Sequence, residues 1–367
     1  MLLLLWYIFI GTSAILFIYN TISSIVIMTY RPLSDENTEG VSVIVCARNE
    51  HKYLTRLIPK ILSQEHKKFE LIVVDDRSSD ESYAFLKELS MMTINVKLVR
   101  IDETPLHINE KKYAILLGIR AAENDIVLLT DADCLPTTGN WISRMTAPFS
   151  NPNVKISLGF SPYEYKRGLL NALIRYETFL TALTYFTFTR LGRPYMGVGR
   201  NLAYRKSFFL ELDGFKGFQN ILGGDDDLFV NKYANKQNTA IVLHHEAVTF
   251  SNPKETWKDF ITQKTRHLSV GKYYHFKDRL ILGLILLTKM LFWLSLPAVI
   301  LAEIKPILSI LGFILVMVSF LTVYLPFRKK IKDLKGAWIF PVLDVIYLFY
   351  YILVGLKVRF TKKVKWS

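Results

Sequence analysis

Hydrophobic and polar positions divide the chain into three stretches. At its two ends apolar residues run almost unbroken, over 2–28 and then over 280–302, 307–327 and 338–356. Each run is close to the about 17–25 residues that a helix needs to cross hydrocarbon. Between them, from 31 to 278, short β-branched runs bounded by polar turns alternate with stretches of helical periodicity. "VSVIVCAR" is followed by polar "NEHKY" and a helical spacing through Leu54, Leu57, Ile58, Ile61 and Leu62. "FELIVVDDRSSD" leads in the same way into a helix through Tyr83, Leu86 and Leu89, with Ser78, Ser79 or Asp80 available to cap it. "INVKLVRI", a helix over 112–122 and "DIVLLTDADC" continue the alternation. Such alternation predicts a doubly wound α/β sheet, in which ligands bind beyond the carboxyl ends of the strands. Asn49, Asp75, Asp76, Asp131 and Asp133 fall at those ends.

Three parts follow: an N-terminal transmembrane anchor over 1–30, an α/β domain over 31–278, and a membrane region over 279–367 with two or three spans and a basic tail. The first apolar run exceeds the about 7–15 residue core of a signal peptide and lacks a clear small-residue cleavage site, so a retained anchor is expected. Composition agrees, since 51% hydrophobic residues and a mean hydropathy of +0.23 are high for a soluble chain, yet 21% of residues are charged.

The formal charge of +14 is concentrated in 279–367, which holds 13 Lys and Arg against 3 Asp and Glu. Basic residues beside apolar helices point to anionic headgroups, and no nucleic-acid partner is expected. The positive-inside rule, applied to "RPLSDE" and "RKKIKDLK", puts the N-terminus outside and the α/β domain in the cytoplasm of a multi-pass cell-membrane protein. The tail "KVRFTKKVKWS" breaks the scheme if all four runs cross. Either the bias is overridden there, or the last run, which carries Asp344 and several tyrosines, lies along the interface. Cys46 and Cys134 suggest no disulfide framework and suit a reducing compartment.

Asp131 and Asp133, in "LLTDADC", are one residue apart at a strand end, so both carboxylates can converge on one cation. A second acidic cluster stands in "GGDDDLF", and Gln263 and Arg266 of "QKTRH" share one face of a helix. The Gly-rich "GVGRNLAYRK" lacks the spacing of a dinucleotide fingerprint. The aromatic-rich "LLNALIRYETFLTALTYFTF" reads either as an interfacial helix framing lipid access or as a plain core helix.

In this order, "VSVIVCARNE", "LIVVDDRSSD", "NEKKYAI", "LLTDADC", "GVGRNLAYRK", "GGDDDLF" and "QKTRH" resemble a membrane-bound family-2 glycosyltransferase of the GT-A fold, over roughly 41–272. The resemblance implies a nucleotide-diphospho-sugar donor, expected to be UDP-linked, and an inverting transfer to a lipid or lipid-linked hydroxyl. It implies that Ala47, Arg48 and Glu50 wrap the nucleoside, with Asp76, or less directly Asp75, reading the base. Lys111 would face the diphosphate, Asp131 the ribose, and Asp133 a Mg²⁺ or Mn²⁺ ion, hard cations that suit carboxylates. Asp225 would be the base, with Asp226 as the fallback, while Arg266 would meet the diphosphate and Gln263 the acceptor region. "GVGRNLAYRK" would lie near the acceptor sugar or the donor. Two positions depart from the family's pattern. Gly224 stands where Glu is usual, and His267 replaces a tryptophan, which favours transfer of one sugar over processive polymerisation. His267 has a second reading as a packed core histidine. A processive synthase and a catalytically silent nucleotide-sugar-binding scaffold remain the alternatives. A transporter would need more polar groups within its spans than Lys289, Glu303 and Asp344.

Overall fold

The computed structural model describes residues 2–33, 37–333 and 339–360. The last charges of the basic tail, at 361–367, lie outside the described residues. The chain opens with helix α1 (Leu2–Thr29) and then builds β1 (Val41–Ala47), α2 (His51–Leu62), β2 (Phe69–Asp76), α3 (Ser82–Met92), β3 (Val96–Ile101), α4 (Glu110–Ala121) and β4 (Ile126–Asp131). Next come β5 (Cys134–Pro136), α5 (Trp141–Thr146), β6 (Ile156–Leu158), α6 (Leu169–Arg190), β7 (Leu202–Arg205), α7 (Lys206–Glu211), α8 (Asp227–Tyr233), β8 (Thr239–Ile241), β9 (Thr249–Ser251) and α9 (Trp257–Val270). Helices α10 (Phe276–Leu301), α11 (Pro306–Ile331) and α12 (Phe340–Phe360) complete it.

Seven strands form one sheet in the order β3-β2-β1-β4-β7-β6-β8, and β5 pairs with β9 in a separate ribbon. Parallel pairing joins β1 to β2, β2 to β3 and β1 to β4, whereas β7 runs antiparallel to β4 and β6. The register sets Ala47 opposite Asp75 and Cys46 opposite Asp131, so the carboxyl ends of three neighbouring strands finish together. Both faces of β1 are covered. Val41, Val43 and Val45 pack with Leu54, Leu57, Ile58 and Ile61 of α2, while Ile44 packs on the other face with Ile115 and Ile119 of α4. Burial on two faces is why these strands read as continuous apolar runs.

Asp80, rather than Ser78 or Ser79, satisfies the start of α3, accepting from Ser82 N at 3.0 Å. Its other oxygen accepts from His51 N in the first turn of α2, 3.2 Å away. Asn49, in the left-handed region at φ 57°, accepts from Ser79 N at 2.7 Å. The loops after β1 and β2 are thereby tied to each other.

Among the described residues four helices, Leu3–Thr29 of α1 together with α10, α11 and α12, are long and apolar enough to cross a bilayer. Helices α1, α10 and α11 pack together, with Phe9 stacked on Phe292 at 5.5 Å. Asn20 Nδ2 donates to Ser319 Oγ at 2.9 Å in the same group. Helix α6 is wedged between the sheet and these helices, its Phe179 ring 5.0 Å from that of Phe327. That burial fits the core reading of the aromatic-rich segment, although one edge of α6 also faces a cavity.

Candidate active site

Helix α4 delivers Lys111 to the end of the sheet, where its Nζ lies 3.1 Å from Asp131 Oδ1 and 3.4 Å from Asp225 Oδ2. One ammonium therefore bridges two acidic motifs almost a hundred residues apart in sequence. The neighbouring Lys112 is fully buried and donates from Nζ to the carbonyl oxygens of Ile221 and Gly223, which holds the loop carrying Asp225. Burial alone would raise the Asp225 carboxyl, but Lys111 and Lys112 outweigh it and hold the group below its ordinary value.

The three aspartates of "GGDDDLF" have separate employment. Asp226 Oδ2 accepts from Gly199 N at 2.6 Å, and its Oδ1 caps α8 by accepting from Asp227 N at 2.8 Å. Asp227 accepts from the Tyr274 hydroxyl at 2.6 Å, and burial together with Asp226 pushes its carboxyl up to about 8. Of the three, Asp225 is the one that forms the ion pair with Lys111. Gly223 and Gly224 both have φ +78°, and a Cβ on Gly224 would fall 2.5 Å from Leu228 Cδ1. The missing Glu at this position thus has a steric reason, since no side chain fits without displacing Leu228.

Asp133 is fixed by Ser251 of β9, whose hydroxyl donates to Oδ2 at 3.1 Å, and Asn252 Nδ2 reaches its backbone oxygen at 3.3 Å. Burial first, then Asp131, raises the Asp133 carboxyl. Glu50 is pushed up to about 7 by burial and by Asp133 and Asp131. This concentration of negative charge is what a divalent cation would relieve. Among the described residues no three His, Cys, Asp or Glu side chains are grouped to hold an ion by themselves. A pair of carboxylates completed by the oxygens of a bound diphosphate fits that arrangement.

Beyond the ends of β1 and β2, Arg48 and Arg77 both pair with Glu110, at 3.2 and 2.7 Å, and Arg77 Nε donates to Asp76 Oδ1 at 2.8 Å. Ala47 ends β1 beside Asp75, which is 1% exposed and keeps Oδ1 without a hydrogen-bond partner. Sequence reasoning gave Asp76 priority over Asp75; in the structure Asp76 is engaged by Arg77 and the orphaned oxygen belongs to Asp75.

A single cavity of about 680 Å³ joins the acidic cluster to the long helices. Lys111, Asp131, Asp133, Asp225 and Asp226 line one part of it, and Gln263, Arg266 and His267 of α9 line another. His267 is exposed to this space rather than packed in the core. Gln263 Nε2 lies 3.4 Å from the Tyr163 hydroxyl. Arg200 and Ser251 also line the cavity, outside the residues singled out from the sequence. Arg200 packs its guanidinium over the Tyr163 ring, 4.3 Å from the centroid, and its buried Nη1 makes no hydrogen bond. The signal for Arg200 was available in "GVGRN", an arginine after two glycines; Ser251 offered none.

Strand order, the acidic pair after β4 and the shared cleft define a GT-A nucleotide-sugar fold. The model of glycosyl transferase family 2 matches residues 42–212. A 4,4'-diaponeurosporenoate glycosyltransferase of Staphylococcus haemolyticus is 27% identical over 243 residues, 64% of this chain and 63% of that protein. An undecaprenyl-phosphate 4-deoxy-4-formamido-L-arabinose transferase of Proteus mirabilis is 33% identical over 102 residues, covering 27% of this chain and 30% of the relative. The matched segment thus spans less than two thirds of each of these relatives. Over the whole length, the chain superposes on the mannosyltransferase PcManGT of Pyrobaculum calidifontis, solved with GDP-Man and Mn²⁺, with a TM-score of 0.63, 18% identity and 99% coverage of both chains. Together these likenesses support a family-2 glycosyltransferase, carried by residues 42–212.

Proposed function

We propose that the protein is a membrane-integrated, inverting glycosyltransferase that moves one sugar from a nucleotide-diphosphate donor, UDP-linked by the sequence reading, onto a lipid or lipid-linked hydroxyl. The supporting observation is the continuity of the cavity, which runs from Asp131, Asp133 and Asp225 to Leu282, Leu286 and Tyr347 on the apolar helices. A sugar donor at the acidic end and an acceptor held among apolar helices would meet inside it. The names of the relatives, which include transferases for 4,4'-diaponeurosporenoate and for undecaprenyl phosphate, support a lipid acceptor. In this reading 1–30 anchors the chain, 31–278 works in the cytoplasm, and 279–367 completes the membrane region.

Asp225, ionised and aimed into the cavity, takes the proton of the acceptor hydroxyl as that oxygen attacks the anomeric carbon on the face opposite the departing diphosphate. Lys111 turns from the two aspartates to the donor phosphates, and Arg266 meets the same charge from α9. Asp133 would hold Mg²⁺ or Mn²⁺, which would neutralise the leaving diphosphate when bound, while Asp131 beside it faces the ribose. Ala47, Arg48, Glu50 and the Asp75–Asp76 pair enclose the nucleoside, while Gln263 orients the acceptor. Asp226, occupied by Gly199 and by the start of α8, shapes the loop and leaves the proton transfer to Asp225.

Membranes containing the protein, incubated with a panel of radiolabelled nucleotide sugars, should transfer one label into the organic-extractable fraction. Label found only in water-soluble polymer would overturn the acceptor class. Equal background hydrolysis of every donor by the wild type and Asp225→Asn would favour a silent scaffold.

A further inference from the structure

Length and composition offer α12 as a fourth span, but its contacts run the wrong way for a crossing. Its first turns lie at mid-depth among the other helices. Phe340 stacks on Phe320 of α11 with centroids 4.1 Å apart. Asp344 accepts from Lys289 Nζ at 2.7 Å and from Trp293 Nε1 at 2.8 Å, both on α10. Counted from Leu280, where the apolar part of α10 begins, Lys289 and Trp293 stand about 13 and 20 Å along the helix, and Phe320 is about 16 Å from the end of α11 at Ile331. These are mid-levels of a hydrocarbon layer about 30 Å thick.

From that level α12 proceeds toward the sheet domain. Tyr350 stacks on Phe260 of α9 at 5.1 Å, and further along Tyr351, Gly355 and Val358 line the same cavity as Arg266, Lys272 and Arg279. The opposite half of the bundle is filled by Trp6, Phe9, Leu16, Phe292, Leu296, Val299 and Val316, from α1, α10 and α11 alone. A crossing helix would have to run beside that half. Instead the buried residues Phe340, Leu343, Tyr350 and Val354 belong to the core cluster that includes Phe179, Phe260 and Phe327.

The remaining side of α12 is an apolar stripe of Val342, Phe349, Ile352, Leu353, Leu356 and Phe360, with Phe349 63% and Leu353 64% exposed. It ends in Lys357 and Arg359, and the sequence adds Lys362, Lys363 and Lys365. Acyl chains can cover the stripe and anionic headgroups can meet the basic end.

We propose that α12 does not cross the bilayer but docks in the leaflet on the side of the sheet domain, with its apolar stripe against lipid, its other face walling the cavity and Asp344 pinned to α10. Both ends of the segment after α11 then face the same side as the sheet domain, and the basic tail no longer conflicts with the charge bias. This placement stands independently of the sugar chemistry.

The test compares two single-cysteine reporters in full-length protein lacking Cys46 and Cys134. One is Met91→Cys on α3, at a position 74% exposed on the sheet domain, and the other is Ser367→Cys at the C-terminus. An impermeant maleimide should label both in vesicles of one orientation and lose both in vesicles of the other, with detergent-solubilised protein as the reference for full labelling. Opposite sidedness of the two reporters would overturn the proposal. A C-terminal protease-cleavable tag, read in wild-type protein in the same two vesicle preparations, gives the same answer if the cysteine variants fail to accumulate.

Discussion

The two ends of the cavity are built on different plans. At the end proposed for the donor, most groups stand at the carboxyl ends of adjacent parallel strands and on loops that cap one another, as Asn49 does Ser79 and Asp80 does both α2 and α3, with Ser251 of β9 and Asp225 added from later in the chain. At the acceptor end, each wall comes from a different part of the chain. Tyr163, α6, α9, α10 and α12 converge there, joined by contacts such as Tyr176 to Asp344 at 2.8 Å. The proposed donor end is therefore held largely by the sheet and its loops, whereas the proposed acceptor end depends on packing within and around the long apolar helices.

The sharpest way to break that contrast is at the group between the two ends. Asp225→Asn removes the base but keeps the shape, so transfer should fall by about 10²–10⁴-fold. Donor binding should survive, measured by titration of the nucleotide sugar. Unchanged turnover would remove Asp225 from proton transfer.

At the acceptor end, Lys289→Met leaves Asp344 without its cation. Loss of one partner of a buried pair costs about 3–5 kcal/mol, which should appear as a lower Tm in detergent. The double variant Lys289→Met with Asp344→Leu should recover much of it. A double variant no better than the single one would show that the pair is not a coupled unit.

Ser251→Ala probes the reach of β9 into the donor end. Removing the hydroxyl that orients a metal-holding carboxylate should weaken Mn²⁺ affinity roughly 10–100-fold, while the nucleotide binds as before in the absence of metal. Equal metal affinity in the two proteins would place Ser251 outside the donor machinery.

A further prediction, confined to the pH dependence of stability, concerns Asp227. Burial and Asp226 raise its carboxyl to about 8, so the folded chain retains a proton that the unfolded chain releases near the ordinary carboxylate value. Its contribution to stability is full below that ordinary value and is lost as pH rises through about 8. Asp227→Asn, neutral at every pH, should flatten the decline in Tm between about pH 4 and 8. Parallel Tm curves for the two proteins would show that Asp227 does not carry this term.

What the sequence revealed follows the same division. Strands β1, β2 and β4 are legible because their β-branched runs are buried on both faces, and the acidic residues at their ends are displayed by that register. The ribbon of β5 and β9 was invisible, because strands of three residues carry no period and are held in place by partners far along the chain. Asp225 could be singled out from three adjacent aspartates by resemblance. The reason Asp226 is less available, its bonds to Gly199 and the start of α8, exists only after the chain folds. Arg200 stands in a motif the sequence displays, but its place over the Tyr163 ring, which lies outside every motif, appears only in the fold. For α12 the sequence left crossing and interfacial readings open, with Asp344 and the basic tail favouring the second; hydropathy measures length and composition but not which neighbours a helix meets.

Helix α4 carries a consequence for tuning this protein. Consecutive residues on a helix point about 100° apart, so Lys111 and Lys112 serve two neighbouring structures from one rod: the first touches the carboxylates, the second grips the backbone beneath Asp225. A slight rotation of that rod would shift the cation and the base in concert. Engineering the donor pocket through α4 would consequently disturb acceptor activation as well, and substitutions in the strand-end loops offer the more separable handle.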